Sequence, residues 1–553
     1  MKIIRLILVL MLIAVCAFVQ ALNWQWATQA GGSGSDLGSA IAIDDDGNSY
    51  VTGYFMGSAA FGSYSLTTTG WYDIFVAKMD ATGNWLWATK AGASGLYHDQ
   101  GLGITIDDYG NSYVTGFFEG TAIFGSFSLT TSVNSDIFVA KIDAIGNWLW
   151  ATQAGGSGLY CDQGSGITID DNGNSYVTGF FEGIATFGTT TLTSNGESDI
   201  FVAKMDADGN WLWSSKAGGN ENDCGFGIAI DDDGNSYVTG FFEGTANFGS
   251  YSLTSSGSYE IFIAKMDANG NWLWSSKAGG NDWDESWGIA VDNDGNSYVT
   301  GEFNGTATFG SYSLFCIGWF DIFVAKMDAN GNWLWATRAS GGGLEYGQAI
   351  AIDDDGNSFV TGFFEGIATF GSTSLTSSGN EDIFVAKMDV NGNWLWAMNA
   401  GGSEHDGGLG IAIDDDGNSY LTGFFHDTAT FGTYSLINSG GNNIFVAKLG
   451  NDTSVENEII PTKLELSNFP NPFNPSTTIS FSIHEESNVE LTIFNIKGQK
   501  TKTLANNEFT KGNHSIIWNG DDELSEPVSS GVYLYKLNVN GNTEAVKKCL
   551  LLK

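Results

Sequence analysis

Seven carboxylates recur in one register of this 553-residue sequence, and they are the first residues to consider for chemistry. Each lies eight residues before the first aspartate of a short acidic turn. The positions are Asp36, Asp99, Asp162, Asp223, Asp284, Glu345 and Asp406. If they converge on one axis they form an acidic ring, in which like charges raise one another's pKa unless a cation compensates. Because hard oxygen ligands favour calcium or magnesium, these are candidate ligand-binding residues with calcium as the candidate cofactor.

A simpler interpretation stays open for the same positions. Each carboxylate could accept hydrogen bonds from amides of its own loop, or pair with one of seven repeated lysines. The Asp-Asp-Asp-Gly-Asn segments that follow, such as residues 44–48 and 231–235, superficially resemble calcium loops. They lack the terminal glutamate of an EF-hand, so we interpret them as turns.

No catalytic constellation stands out. The five histidines do not recur in register, and the motifs of serine hydrolases, zinc proteases and phosphate-binding loops are absent from the sequence. We therefore expect no enzymatic activity. A carboxylate pair of the kind that glycosidases use could still hide among the 63 acidic residues, so a secreted hydrolase is the alternative.

Three sequence blocks, each present seven times, must position these side chains. Asn-Trp-x-Trp recurs every 61 to 63 residues, with its first tryptophan at Trp24, Trp85, Trp148, Trp211, Trp272, Trp333 and Trp394. Gly-Asn-Ser-(Tyr/Phe)-(Val/Leu)-Thr-Gly and Ile-Phe-(Val/Ile)-Ala-Lys give the same count. Each unit has four short apolar segments separated by turn signals, which in most units are of the Asp-Gly or Asn-Gly type. The pattern predicts an all-β fold, a seven-bladed β-propeller over residues 22–450.

The two ends of the array predict how the ring closes. The first block is a lone fourth strand at residues 23–26, and the seventh unit stops after its third strand at Lys448. We predict that the N-terminal strand completes the last blade, because this leaves no exposed sheet edge. The fourteen tryptophans of the Trp-x-Trp pairs are predicted to wedge between blades.

The loops at the two ends of the blades differ in how much their sequences vary from one unit to the next. The tight hairpins are nearly identical in all units, whereas the connections from strand four to strand one vary, as in Asp282-Trp283-Asp284-Glu285. Since a scaffold places binding residues on variable loops, we predict that the face carrying these connections is the binding surface.

Net charge and cysteine content argue against several classes of function. With 22 basic and 63 acidic residues the net charge is −41, which disfavours nucleic acid and anionic membranes. Residues 1–21 have the basic start, apolar run and small-residue end of a signal peptide, and no other transmembrane segment is predicted. Cys161, Cys224, Cys316 and Cys549 lack metal-ligand spacing. We interpret them as unpaired, with a Cys161–Cys224 disulfide as the alternative.

The composition changes after residue 450. All five prolines lie beyond this point. Residues 451–465 are predicted to be a polar linker, and residues 466–553 a small immunoglobulin-like β-sandwich.

Motifs in this last segment carry a resemblance to a known family. They are Phe-Pro-Asn-Pro-Phe-Asn-Pro at 469–475, Val-Glu-Leu-Thr-Ile-Phe-Asn-Ile-Lys-Gly-Gln at 489–499, Ser-Gly-Val-Tyr at 530–533 and Lys-Lys-Cys-Leu-Leu-Leu-Lys at the end. The segment resembles the type A sorting domain of type IX secretion cargo. This resemblance implies export by the Sec route, the type IX machinery as partner, and surface attachment or release.

The repeats carry a second resemblance. Asp-Ile-Phe-Val-Ala-Lys-Met-Asp, Gly-Asn-Trp-Leu-Trp and Gly-Ile-Ala-Ile-Asp-Asp-Asp-Gly-Asn-Ser-Tyr-Val-Thr-Gly resemble the bacterial propeller repeats known as SBBP, which implies a propeller and says little about a ligand. We expect a secreted or outer-membrane cell-surface protein that binds or adheres without catalysis. Its propeller face would meet a glycan, protein or particulate ligand. The alternative is a carboxylate-based polysaccharide hydrolase on the same face.

Overall fold

The computed structural model describes residues 22–156, 161–438, 440–451, 466–483, 487–509, 512–540 and 542–552. In these residues the regular secondary structure is entirely β-strand, which confirms the all-β prediction. They contain no helix able to span a membrane. The chain divides into two compact units between Asn451 and Asp452. The predicted signal peptide (1–21) and all but the first residue of the predicted linker (451–465) lie outside the described residues.

The first unit is a succession of sheets, numbered here as blades 1 to 7. The chain begins with β1 (Leu22–Gly32). Blade 1 contains β2 (Leu37–Ile43), β3 (Ser49–Phe61), β4 (Tyr64–Met79) and β5 (Trp85–Ala93). Blade 2 contains β6 (Gln100–Ile106), β7 (Ser112–Phe124), β8 (Phe127–Ile142) and β9 (Trp148–Gly156). Blade 3 contains β10 (Gln163–Ile169), β11 (Ser175–Phe181), β12 (Ile184–Phe187), β13 (Thr190–Thr193), β14 (Asp199–Met205) and β15 (Trp211–Ala217).

The remaining blades repeat this order. Blade 4 contains β16 (Asp223–Ile230), β17 (Ser236–Phe242), β18 (Thr245–Phe248), β19 (Tyr251–Thr254), β20 (Glu260–Met266) and β21 (Trp272–Ala278). Blade 5 contains β22 (Asp284–Val291), β23 (Ser297–Phe303), β24 (Thr306–Phe309), β25 (Tyr312–Phe315), β26 (Asp321–Met327) and β27 (Trp333–Gly341). Blade 6 contains β28 (Glu345–Ile352), β29 (Ser358–Phe370), β30 (Thr373–Met388) and β31 (Trp394–Ala400). Blade 7 contains β32 (Gly407–Ile413), β33 (Ser419–Phe425), β34 (Thr428–Phe431), β35 (Tyr434–Ile437) and β36 (Asn443–Asn451).

The N-terminal strand closes the ring. In blade 7 the strand order is β32-β33-β36-β1, with antiparallel register from Asn23↔Gly450 to Ala30↔Ile444. The end of β1 then pairs with β3 of blade 1, through Gly31↔Ala60 and Gly32↔Ala59. The same connection from the fourth strand of one blade to the strand-two-to-three hairpin of the next occurs at the other six junctions. Backbone hydrogen bonds therefore run around the whole propeller.

Apolar runs in the second and third strands build the core between blades. Ile74 to Ala77 of β4 are fully buried, as are the equivalent residues in every blade, because these central strands are covered on both faces. The tryptophan pairs fill the gaps between sheets, as predicted. Trp85 meets Phe61 edge-on at 5.1 Å, and Trp87 donates its indole N–H to the Ala144 carbonyl of the next blade at 3.0 Å.

The second unit is a sandwich of two sheets. Its strands are β37 (Leu466–Phe469), β38 (Thr477–Ile483), β39 (Ser487–Asn495), β40 (Lys500–Phe509), β41 (Gly512–Trp518), β42 (Gly531–Val539) and β43 (Asn542–Leu551). One sheet has the order β37-β38-β41 and the other β40-β39-β42-β43. Trp518, Ile479, Leu491 and Tyr535 belong to a buried hydrophobic cluster of this unit, which also contains Cys549. All four cysteines within the described residues have free thiols.

Candidate functional site

The seven predicted carboxylates are buried in the loops that join the blades. None is more than 2% exposed. Asp99 is representative, since its Oδ2 accepts the Ala93 N–H at 2.6 Å and its Oδ1 accepts the Glu119 N–H at 2.9 Å. The six aspartates each accept two such bonds, with N···O distances of 2.6–3.2 Å. Glu345 accepts the Gly343 N–H at 3.3 Å. The six aspartates therefore fasten the end of one blade to the next, whereas the Glu345 bond lies within the connection between blades 5 and 6.

This placement corrects the expected acidic ring. The cavity on the propeller axis has a volume of about 520 Å³, and none of the residues that line it is one of the seven carboxylates. The physical reason is that loop N–H groups without a strand partner require acceptors, and the carboxylates accept hydrogen bonds from these groups in the connections between blades. The second interpretation, hydrogen bonding to loop amides, describes these contacts.

Burial has the largest effect on the pKa values of these seven carboxyl groups. Loss of hydration raises the pKa of Asp36 to about 6 and that of Glu345 to about 8. It raises the pKa of Asp99, Asp162, Asp223, Asp284 and Asp406 to about 7. The amide hydrogen bonds oppose this shift but are the smaller effect, so these carboxyl groups hold a proton in weakly acidic solution.

A second row of buried acidic residues lies beside the first, and the sequence analysis missed it. It comprises Asp73, Asp136, Asp199, Glu260, Asp321 and Asp382, with Asn443 in blade 7. Four of these groups have a cationic partner seventeen residues later, for example Lys90 at 2.5 Å from Asp73 and Arg338 at 2.6 Å from Asp321. The available signal was the acidic residue directly before the Ile-Phe-Val-Ala-Lys block.

The seven repeated lysines bind a different set of aspartates, at the opposite end of the blades. Lys78 Nζ lies 3.3 Å from Asp44 Oδ2 and 4.5 Å from the centre of the Tyr50 ring. The Asp44 carboxylate also accepts the N–H of Asn48 at 2.8 Å, so this segment is a turn, as interpreted. The described residues contain no group of three or more His, Cys, Asp or Glu placed to hold a metal ion. Calcium binding stays a prediction.

The axial cavity opens among the first strands of all seven blades. Its lining includes the polar side chains Gln100, Gln163 and Gln348 and the aromatic side chains Phe226 and Trp287. These two rings are stacked, with centroids 4.1 Å apart and planes inclined by 14°. The cavity therefore offers amide hydrogen-bonding groups beside a flat apolar platform.

An aromatic track leads to this platform from an exposed tryptophan. We define the track as Trp283, Tyr259, Phe241, Phe226 and Trp287. Successive ring centroids along it are 5.1, 4.2, 5.7 and 4.1 Å apart. Trp283 is 52% exposed and lies in the connection between blades 4 and 5, on the face predicted to bind. Five rings thus connect the variable loops with the cavity.

Two glutamates lie behind the inner end of the track. Glu285 of β22 and Glu302 of β23 are directly opposite each other in the sheet. The Trp287 indole N–H donates to both carboxylate oxygens of Glu302, at 2.9 and 2.8 Å. Burial, and then the charge of Glu285, raises the pKa of Glu302 well above its usual value, and burial raises that of Glu285 to about 7. The pair was detectable in the sequence, because the other blades have Tyr or Phe where Glu302 stands.

Comparisons with known families agree with this architecture. A model described as a β-propeller repeat, SBBP, matches residues 25–54, 149–179 and 212–240. A model of the secretion system C-terminal sorting domain matches residues 467–551. The chain carries SBBP propeller repeats and a type IX sorting domain. The protein is therefore secreted or attached to the cell surface, and its sorting domain implies an interaction with the secretion machinery.

Individual relatives of this chain are distant. An uncharacterized WD repeat-containing protein of Acanthamoeba polyphaga mimivirus is 25% identical over 504 residues, which covers 72% of this chain and 36% of that protein. The regulatory protein FlaEY of Caulobacter vibrioides is 27% identical over 141 residues, or 25% of this chain and 15% of its own. The chain thus spans about a third or less of the length of these curated relatives.

Solved structures give only weak similarity. The WD40 β-propeller domain of Doa1 covers 78% of this chain and 98% of its own at 9% identity, with a TM-score of 0.42. PorZ, a surface component of the type IX secretion system of Porphyromonas gingivalis, covers 95% of this chain and 100% of its own at 11% identity, with a TM-score of 0.20.

Proposed function

We propose that this secreted SBBP propeller protein is a non-enzymatic binding protein and that its ligand is a glycan. The observation that carries the proposal is the set of exposed aromatic side chains on the variable-loop face. Trp71 is 42%, Trp283 52% and Trp319 71% exposed. Exposed rings of this size are the usual anchors of a binding surface, and a flat ring stacks on the apolar face of a sugar.

The surroundings of these rings also suit a glycan. The aromatic track ends at a cavity that presents glutamine amides and serine hydroxyls, including Gln100, Gln163 and Ser165. A mixture of flat apolar surface and a few neutral polar groups is what a ligand rich in hydroxyl groups requires. The tryptophans of the repeated pairs have a different role, because they pack between blades.

The Glu285–Glu302 pair favours one competing function, a carboxylate-based hydrolase. Two carboxyl groups, one of which retains its proton, are the machinery of glycoside hydrolysis. In this chain, however, Glu302 is 4% exposed and is held by the Trp287 indole. An acid that cannot reach a glycosidic oxygen does not catalyse its cleavage, which supports binding without catalysis.

The test is a polysaccharide and oligosaccharide binding screen on the full secreted protein, with product analysis on the same substrates. We expect retention of at least one glycan and no release of shorter products. Turnover that is lost in the Glu302→Gln variant, while the variant still folds and binds, would establish the hydrolase instead. Absence of binding to every glycan would refute the proposal.

A further inference from the structure

We infer that the aromatic track binds a glycan whose sugars carry protonated amines, that is, an amino-sugar polymer. The inference rests on the proposed function and specifies the ligand class for one part of the face. Its basis is the combination of stacked rings with carboxylates that have no cationic partner, which matches a ligand that is both flat and positively charged.

The negative charge of the track lies at its outer end, around Trp283 and Tyr259. Asp282 adjoins Trp283 in the sequence, and Glu197 and Glu243 lie near Tyr259. Glu285 and Glu302 lie at the inner end, where burial raises the pKa of both carboxyl groups and favours their neutral forms. None of the three outer carboxylates forms an ion pair within the described part of the chain, whereas Glu260 and Asp199 nearby are paired with Lys277 and Lys216. Burial raises the pKa of Tyr259, and the nearby carboxylates, Glu243 first among them, raise it further.

Two interactions stabilise a positively charged group at such a site. An ammonium over a Trp or Tyr face is attracted by the ring electrons, and neighbouring carboxylates add a direct charge attraction that is strengthened where the surface is partly buried. An anionic polysaccharide is repelled by the same carboxylates and by the net charge of −41. A neutral glycan can stack on the rings but leaves the carboxylates unpaired.

The other exposed rings differ in their setting and provide a matched control. Trp319 is more exposed than Trp283, yet it lies outside the aromatic track, and the acidic residue nearest to it in sequence, Asp321, is paired with Arg338 at 2.6 Å. A variant at Trp319 therefore removes an equally large ring from the same face without changing the track or its charges.

The experiment measures binding of the full secreted protein to glucosamine oligosaccharides and to N-acetylglucosamine oligosaccharides of equal length, in mildly acidic buffer that protonates the free amines. We expect the amine form to bind about tenfold more tightly than the acetylated form, and this preference to shrink as salt is added. Trp283→Ala should weaken amine-form binding about tenfold or more and abolish the preference for amines, whereas Trp319→Ala should retain the ratio between the two sugar forms. The Asp282→Asn/Glu243→Gln double variant should narrow the preference and retain stacking.

Three results would overturn the inference. They are equal binding of the two sugar forms, unchanged binding in Trp283→Ala, and equally tight binding of an oligolysine of matched charge, which would indicate a basic peptide as ligand. The outcomes also separate this inference from the proposed function. If the protein binds other glycans through Trp71 or Trp319 and shows no preference for amino sugars, only the amino-sugar inference is refuted. Absence of binding to every glycan refutes both.

Discussion

Replacement of one buried carboxylate tests the electrostatic description of the blade junctions. Asp99 is fully buried and accepts two backbone N–H groups, at 2.6 and 2.9 Å. Asp99→Ala leaves both donors without an acceptor, and each buried unsatisfied donor costs about 1–3 kcal/mol. We therefore expect a loss of about 2–6 kcal/mol in the free energy of unfolding. Asp99→Asn retains one acceptor oxygen and should cost about half as much.

The pH dependence of this penalty is the sharper test. Burial raises the pKa of Asp99 from 3.8 to about 7, so the native carboxyl holds its proton over a range in which the unfolded one has lost it. Its contribution to stability is complete in acid and declines by about 1.4 kcal/mol per pH unit as the pH rises toward 7. The Asp99→Ala penalty should therefore be about 2 kcal/mol larger at pH 5.5 than at pH 8.

The assay is urea unfolding of the full secreted protein, followed by tryptophan fluorescence at both pH values. Asp108→Ala is the matched control, since Asp108 is an exposed aspartate of the same blade and its loss should change stability by less than about 0.5 kcal/mol. A penalty that is larger at pH 8 than at pH 5.5 would refute the reasoning, because it would mean that the native state requires the ionised carboxylate.

Three further predictions concern the whole molecule. The seven buried carboxyl groups retain protons up to about pH 6–8, so the native propeller binds more protons than the unfolded chain from about pH 4 to about pH 7. The urea concentration at the midpoint of unfolding should therefore fall as pH rises across this window, and a rising midpoint would contradict this. Deletion of residues 23–31 removes the strand that completes blade 7, so limited proteolysis should cut the open ring much faster than the intact one. Equal rates of cleavage would show that the propeller is stable without this closing strand. Truncation after Pro461 removes the sorting domain, and cell fractionation should then find the protein inside the cell envelope; surface display that survives the truncation would refute the role of this domain.

The sequence by itself determined the architecture. Seven copies of three blocks fix the number of units, and the lone fourth strand at residues 23–26 predicts the closure that β1 makes with β36. Propellers are predictable to this extent because each blade repeats one local pattern of strands and turns. A strand that is ambiguous in one unit can therefore be assigned from the other six. The sorting domain was equally evident from its motifs.

Only the tertiary structure decided what the side chains contact. The register of Asp99 was visible in the sequence, but its acceptor role depends on the Glu119 amide, twenty residues later. Likewise, Glu302 was a visible departure from the repeat, but its burial under Trp287 and its position beside Glu285 follow from strand pairing and packing between blades. Periodicity places a residue within its strand or loop, whereas the direction of a side chain and its neighbours depend on elements far away in the chain, which local sequence does not encode.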